Sequence, residues 1–140
     1  MKRMITLIVV VLLAGCTGGT SFSSSCNNVT DMRTSTCDID FAMLTGSHRK
    51  EVNVEHVATA GQRSIPLYLE MTVASGTVSV SYRDEGGTVV TQTGSQDAPL
   101  VIQDTAFIDT GKVVRLTFDS GGATATGVSI DLAAGENAWR

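Results

Sequence analysis

From residue 38 onward, apolar and polar side chains alternate with a period of two. Ile39, Phe41 and Met43 alternate with Asp38, Asp40 and Ala42, and Val52 and Val54 with Asn53 and Glu55. Leu67, Leu69, Met71 and Val73 alternate with Tyr68, Glu70 and Thr72, and Val78, Val80 and Tyr82 with Thr77, Ser79 and Ser81. The pattern returns in Val114, Leu116 and Phe118 against Arg115 and Thr117, and in Val128, Ile130 and Leu132 against Ser129 and Asp131. Successive side chains of a strand point to opposite faces, so each stretch predicts a strand with one dry face and one wet face. Two shorter strands are predicted at Thr88 to Thr93 and at Pro99 to Gln103. Valine and threonine, which fit a pleated and half-buried surface, recur throughout. No stretch after residue 16 carries a helical stripe long enough for a stable helix.

Glycine-rich stretches separate these runs. Asp84-Glu85-Gly86-Gly87 predicts a hairpin turn, because glycine accepts positive φ. Ala74-Ser75-Gly76, Asp109-Thr110-Gly111 and Asp119-Ser120-Gly121-Gly122 are predicted to turn the chain in the same way. Roughly seven or eight short strands with frequent turns predict an all-β fold, an antiparallel β-sandwich of jelly-roll or immunoglobulin-like topology. The pattern does not choose between the two.

The start of the chain reads differently. Met1-Lys2-Arg3 is basic, and Met4 to Leu13 is apolar with Thr6 its one polar member. That run is about half the roughly 20 residues a spanning helix needs. Its layout is that of a cleaved secretory signal over residues 1–15. Leu13-Ala14-Gly15-Cys16 resembles the lipobox of bacterial lipoproteins. The resemblance implies cleavage before Cys16, a diacylglycerol on its sulfur and usually an acyl chain on its nitrogen. One acyl chain binds a bilayer only marginally, and two or more hold durably. The implied partner of Cys16 is therefore a membrane of the bacterial cell envelope, with the domain facing the periplasm or the exterior. Thr17, not aspartate, follows the cysteine, which in a diderm bacterium implies sorting to the outer membrane.

Residues 16–37 are expected to form a lipidated tether with a disulfide loop, and residues 38–140 the sandwich. Thr17 to Ser25 is mostly glycine, serine and threonine, a composition too poor in apolar surface to order itself. Phe22 is the exception, placed to dip into the membrane interface or to pack on the domain. With Cys16 lipidated, Cys26 and Cys37 remain as an even pair, suited to a disulfide in an exported chain.

Cleavage removes Lys2 and Arg3, leaving 8 basic and 14 acidic side chains, a net charge near −6. This balance disfavours nucleic acid and gives no electrostatic pull towards anionic lipid. Attachment then depends on the acyl chains.

Thr110 to Phe118, followed by Ala125 to Leu132, resembles the last hairpin of bacterial extracellular jelly-roll accessory domains, a strand, a glycine turn and a closing strand. That resemblance implies a binding or structural module. Signatures of catalysis are missing: the sequence contains no GxSxG, HExxH or phosphate-cradling GxxxxGK[ST] motif. His48 lies in a polar stretch and reads as a loop residue, whereas His56 is in phase with Val52 and Val54 and reads as part of a strand. Asp38 with Asp40, and Asp84 with Glu85, offer hard oxygens for calcium, but both read more simply as solvated positions. No metal or other cofactor is expected. Trp139, Tyr68 and Tyr82 are the candidate aromatic contacts for a ligand.

The sequence thus supports a lipid-anchored, non-catalytic envelope β-sandwich that binds a partner protein or a glycan, or serves a structural role. The alternative is a small envelope hydrolase built on His56 or His48 with a nearby serine or carboxylate.

Overall fold

The computed structural model describes residues 20–29 and 33–139. The alternating stretches form seven antiparallel strands: β1 (Ser21–Val29), β2 (Thr34–Asn53), β3 (Ser64–Ser75), β4 (Thr77–Arg83), β5 (Val89–Ser95), β6 (Leu100–Phe107) and β7 (Val113–Gly135). No helix occurs among the described residues, and so none long and apolar enough to cross a membrane. The apolar phase of each run faces inward as the pattern requires. Ile39 and Phe41 of β2, Leu67, Leu69 and Met71 of β3, Val78 and Val80 of β4, and Leu116 and Phe118 of β7 are all buried. Burying each such side chain contributes roughly 1.5–3 kcal/mol.

The strands form two layers. The larger has the order β1-β2-β7-β3-β6, and the smaller joins β2 and β7 to β4 and β5. Both layers share β2 and β7, which run on for 20 and 23 residues where the sequence predicted two shorter strands each. The two predicted turns at Asp119-Ser120-Gly121-Gly122 and Ala74-Ser75-Gly76 are therefore corrected. Neither starts a new hairpin. β7 stays antiparallel to β2 on both sides of the glycines, and β3 and β4 pair in succession with the same strand β7.

These positions are corners at which three neighbouring strands fold over at one level. Four residues of β7, from Ser120 to Ala123, face the single Gly46 of β2. Gly46 takes φ +73°, which a residue with a Cβ adopts only under strain. Gly76, at φ +87°, packs against the same corner, and a Cβ there would lie 3.0 Å from the Ala125 Cα. The corner is held by side chains. Gly46 N donates to Ser120 Oγ at 2.9 Å, and Ser47 Oγ donates to Asp119 Oδ2 at 2.7 Å. With its second oxygen, Asp119 accepts from Gly121 N at 2.6 Å, and these bonds hold its pKa below the usual carboxylate value. The fold-over shifts the apolar phase, so Met43, predicted to face inward, is 37% exposed while Leu44 is buried.

The expected tether needs a second correction. Ser21 to Ser25 are paired in register with β2 as part of strand β1, and β2 itself starts at Thr34, ahead of the predicted domain start at 38. Composition alone does not order this segment, but three contacts to β2 do. The Phe22 ring lies tilted against His48, with centroids 4.2 Å apart, and 5.8 Å from Phe41. Ser24 Oγ accepts from Lys50 Nζ at 3.0 Å. Cys26 and Cys37 form the anticipated disulfide, directly across the β1–β2 pair, with Cα atoms 4.1 Å apart. His48 and Lys50 belong to the far half of β2, so β2 curls back over β1.

Asp84-Glu85-Gly86-Gly87 reverses the chain between β4 and β5 as predicted, with Gly87 N donating to Asp84 O. Asp109-Thr110-Gly111 carries the chain from β6 in the larger layer to β7 in the smaller one. The layers also meet where Tyr82 of β4 donates to Asp104 of β6 at 2.6 Å. Every buried side-chain nitrogen and oxygen among the described residues has a hydrogen-bond partner.

Candidate functional site

Inward packing of Val80, Tyr82, Leu116 and Phe118 turns their neighbours Ser81, Arg83, Arg115 and Thr117 outward. Register then sets these outward residues side by side. Arg49 of β2 lies opposite Thr117 of β7, Thr117 opposite Ser81 of β4, and Ser81 opposite Thr91 of β5. One step along, Glu51 lies opposite Arg115, and Arg83 opposite Val89. With strands about 4.8 Å apart, three arginines and a row of hydroxyls come together on one sheet face. Phe107, the last residue of β6, and Asp109, in the β6–β7 connection, also line this face. The result is a groove of about 430 Å3, lined among others by Arg49, Ser81, Arg83, Phe107, Arg115 and Thr117.

The three arginines differ in their surroundings. Arg115 is paired through Nη2 with Asp109 at 2.8 Å and through Nε with Glu51 at 3.4 Å. Asp109 is itself oriented by Gly111 N at 2.9 Å, so Arg115 is held and largely neutralised. Arg49 and Arg83 make no ion pair or side-chain hydrogen bond with the described residues. The half-buried Thr117 hydroxyl likewise has no partner among them. The groove lining therefore carries uncompensated positive charge on a chain with 14 acidic against 10 basic residues.

A second, wider depression of about 450 Å3 lies on the larger layer, where Ser21, Ser23, Asp40 and Ser129 line it with Phe22. It holds hydroxyls and one carboxylate, and no cation.

The residues singled out from sequence do not gather at either place as a set. Tyr82 falls in the inward phase of β4 and is 2% exposed, and it still lines the floor of the arginine groove. Burial first, and then the hydrogen bond and charge of Asp104, push its hydroxyl up to about 12. Tyr68 lies on the outer face of β3, donating to Glu70 at 3.0 Å. Trp139 is 51% exposed, with its indole Nε1 donating to the Asp104 carbonyl at 3.3 Å. His48, read as a loop residue, stands in β2 against the rings of Phe22 and Phe41. Burial, with the Lys50 charge second, lowers its pKa. His56, read as part of a strand, is exposed in the turn that follows Val54. Asp38 and Asp40 are exposed on β2, while the Asp84 carboxylate accepts from Thr88 N at 2.9 Å and so caps its own hairpin. No group of three metal-ligating side chains occurs among the described residues. Cys16 and the signal segment lie outside the described residues.

No family model matches the chain, and no curated protein matches it. Several solved structures are similar to parts of it. A capsular polysaccharide assembling protein, CapF, from Staphylococcus aureus is 12% identical over 74% of this chain and 23% of its own, with a TM-score of 0.37. The coconut allergen cocosin is 10% identical over 86% of this chain and 27% of its own, with a TM-score of 0.41. A carbohydrate-binding module from Cellvibrio mixtus lichenase 5A, solved with cellotriose, is 15% identical over 81% of this chain and 88% of its own, with a TM-score of 0.33. The chain spans about a quarter of the first two. Likenesses of this strength do not bear on function.

Sequence reasoning missed the arginine groove. Arg49, Arg83 and Arg115 occupy polar positions of three separate strands, where a single charge reads as a solvated face. Only strand order and register bring them together.

Proposed function

We propose that the chain is an exported envelope module, held at a membrane by lipid on Cys16, that binds a ligand in the arginine groove without transforming it. One observation carries the binding reading. Arg49, Arg83 and Thr117 line a concave face without protein partners, beside an Arg115 already neutralised by Asp109 and Glu51. Convergent polar groups of this kind, in a formed groove, are where a ligand supplies the missing partners. A hydrolase reading on His48 or His56 gains no support from their settings. His48 faces two phenylalanine rings, His56 faces solvent, and neither lines a groove.

The anchor rests on the lipobox resemblance at Leu13-Ala14-Gly15-Cys16. Ser21 opens the edge strand β1, so the five residues from Cys16 reach at most about 18 Å. A lipid there holds the edge of the larger layer close to the membrane, on the outer membrane in a diderm bacterium.

An NMR titration of the mature chain with soluble fragments released from the envelope tests the binding reading. Shifts are expected at the amides of Arg49, Ser81, Arg83 and Thr117. Shifts confined to the hydroxyl-lined depression would contradict it. For the anchor, Cys16→Ser is expected to abolish labelling by palmitate and to release the chain from the membrane fraction. Equal retention of the variant would contradict it.

A further inference from the structure

We infer that the ligand of this groove is a short acidic oligosaccharide, bound through its carboxylates by Arg49 and Arg83 and through its ring hydroxyls by Thr117 and Ser81. The inference rests on the reading of the groove as the ligand site and adds the ligand's chemistry. Guanidinium groups present a planar fork that matches a carboxylate in two parallel hydrogen bonds. Arg49 and Arg83 hold such forks with no internal partner; Arg49 of β2 stands at one end of the row Thr117–Ser81, and Arg83 lies two residues along β4 from Ser81. Ser81 shares its hydroxyl with Thr91 at 2.9 Å and retains capacity for a further bond, and Thr117 is wholly available. A uronic acid carries both matching groups on one ring, a carboxylate and several hydroxyls.

Other anions fit less well. A long polyanion such as nucleic acid meets the field of the whole chain, which is net negative, so only a short ligand exploits the local positive charge. An extended acidic peptide also meets arginine clusters, but it carries no ring hydroxyls for Thr117 and Ser81, and its backbone bonds need a free strand edge. The groove floor instead is the side-chain face of β2, β7 and β4, whose backbones are paired with one another. Its apolar lining, Phe107 with Val89 and Val113, suits one sugar face.

The test is a calorimetric and NMR titration of the mature chain with trigalacturonate, alongside its neutral counterpart galactotriose, a triglutamate peptide and inorganic phosphate. Trigalacturonate is expected to bind, to shift Arg49, Ser81, Arg83 and Thr117, and to weaken as salt is added. Arg49→Gln and Arg83→Gln should each weaken it about tenfold or more, as the loss of a charge-assisted bond requires. Arg63→Gln, at an exposed arginine outside the groove, should leave it unchanged. Equal binding of galactotriose, indifferent to both arginine variants, would overturn the acidic class while leaving the groove as the site. Tighter binding of triglutamate or phosphate than of trigalacturonate would overturn the glycan. Thr117→Trp fills the groove. If trigalacturonate binds that variant as it binds the parent, the site lies elsewhere and the groove reading itself falls. If none of the four probes shifts a groove residue at millimolar concentration, the inference is overturned.

Discussion

At the scale of single residues, two buried or half-buried titratable groups make the account testable. Tyr82 is held in the core with its hydroxyl on Asp104, and its pKa stands at about 12 against the ordinary 10.0. Between those values the folded chain keeps a proton that the unfolded chain releases. The stability this contributes is complete below pH 10.0 and is lost as pH rises through about 12. In a Tyr68→Phe background Tyr82 is the last of the two tyrosines, and its absorbance titration should show the raised value directly. Tyr82→Phe leaves the Asp104 carboxylate without this donor and should cost about 1.5–3 kcal/mol in denaturant unfolding. His48 shifts the other way. Its folded pKa lies below the ordinary 6.5, so the unfolded chain takes up the proton first as pH falls. Stability should therefore decline as pH drops from 6.5 through the folded value, and His48→Gln should flatten that decline in urea midpoints across the range. A flat profile in the parent would contradict the packing of His48 under Phe22.

At the scale of elements, the corner and the edge strand are the parts that sequence pattern did not reveal. The strand positions themselves were legible, because Leu67 to Val73 and Val78 to Tyr82 keep a strict period of two that burial follows. What failed was the meaning of the glycines. Gly76 and the stretch after Asp119 were indistinguishable from hairpin turns by composition, yet with Gly46 they fold three strands over without starting new pairings. Period two says which face a residue takes, and strand order decides whether a glycine turns or bends. Ser120→Ala should expose the importance of the corner. It removes the acceptor of Gly46 N, a loss of about 1–2 kcal/mol for a part-buried bond. The edge strand is the other case. Serines at 21 and 23–25 spoke for a tether, and only the long-range partners His48, Phe41, Lys50 and Cys37 make it a strand. Replacing Cys26 and Cys37 together with serine should lower stability by roughly 2–3 kcal/mol, the value for a loop of about a dozen residues. Hydrogen exchange should then speed up first in β1.

At the scale of the whole molecule, the chain combines an acidic body, one cationic groove and a short link to Cys16. The groove was illegible in sequence for the same reason as the corner: Arg49, Arg83 and Arg115 become neighbours only through register across β2, β7 and β4. The aromatic residues were legible one by one but not as a set: Tyr82 lines the groove from its buried position on β4, whereas Tyr68 and Trp139 lie outside it. The account as a whole depends on the chain being displayed at a membrane, where a small groove can serve as a docking point for envelope material. Intact-mass analysis of the protein extracted from the membrane with detergent tests this most directly. The account predicts a chain that begins at Cys16 and carries the added mass of a diacylglyceryl group, with or without a third acyl chain. A chain that retains residues 1–15, or an unmodified amino terminus at any other position, would contradict it.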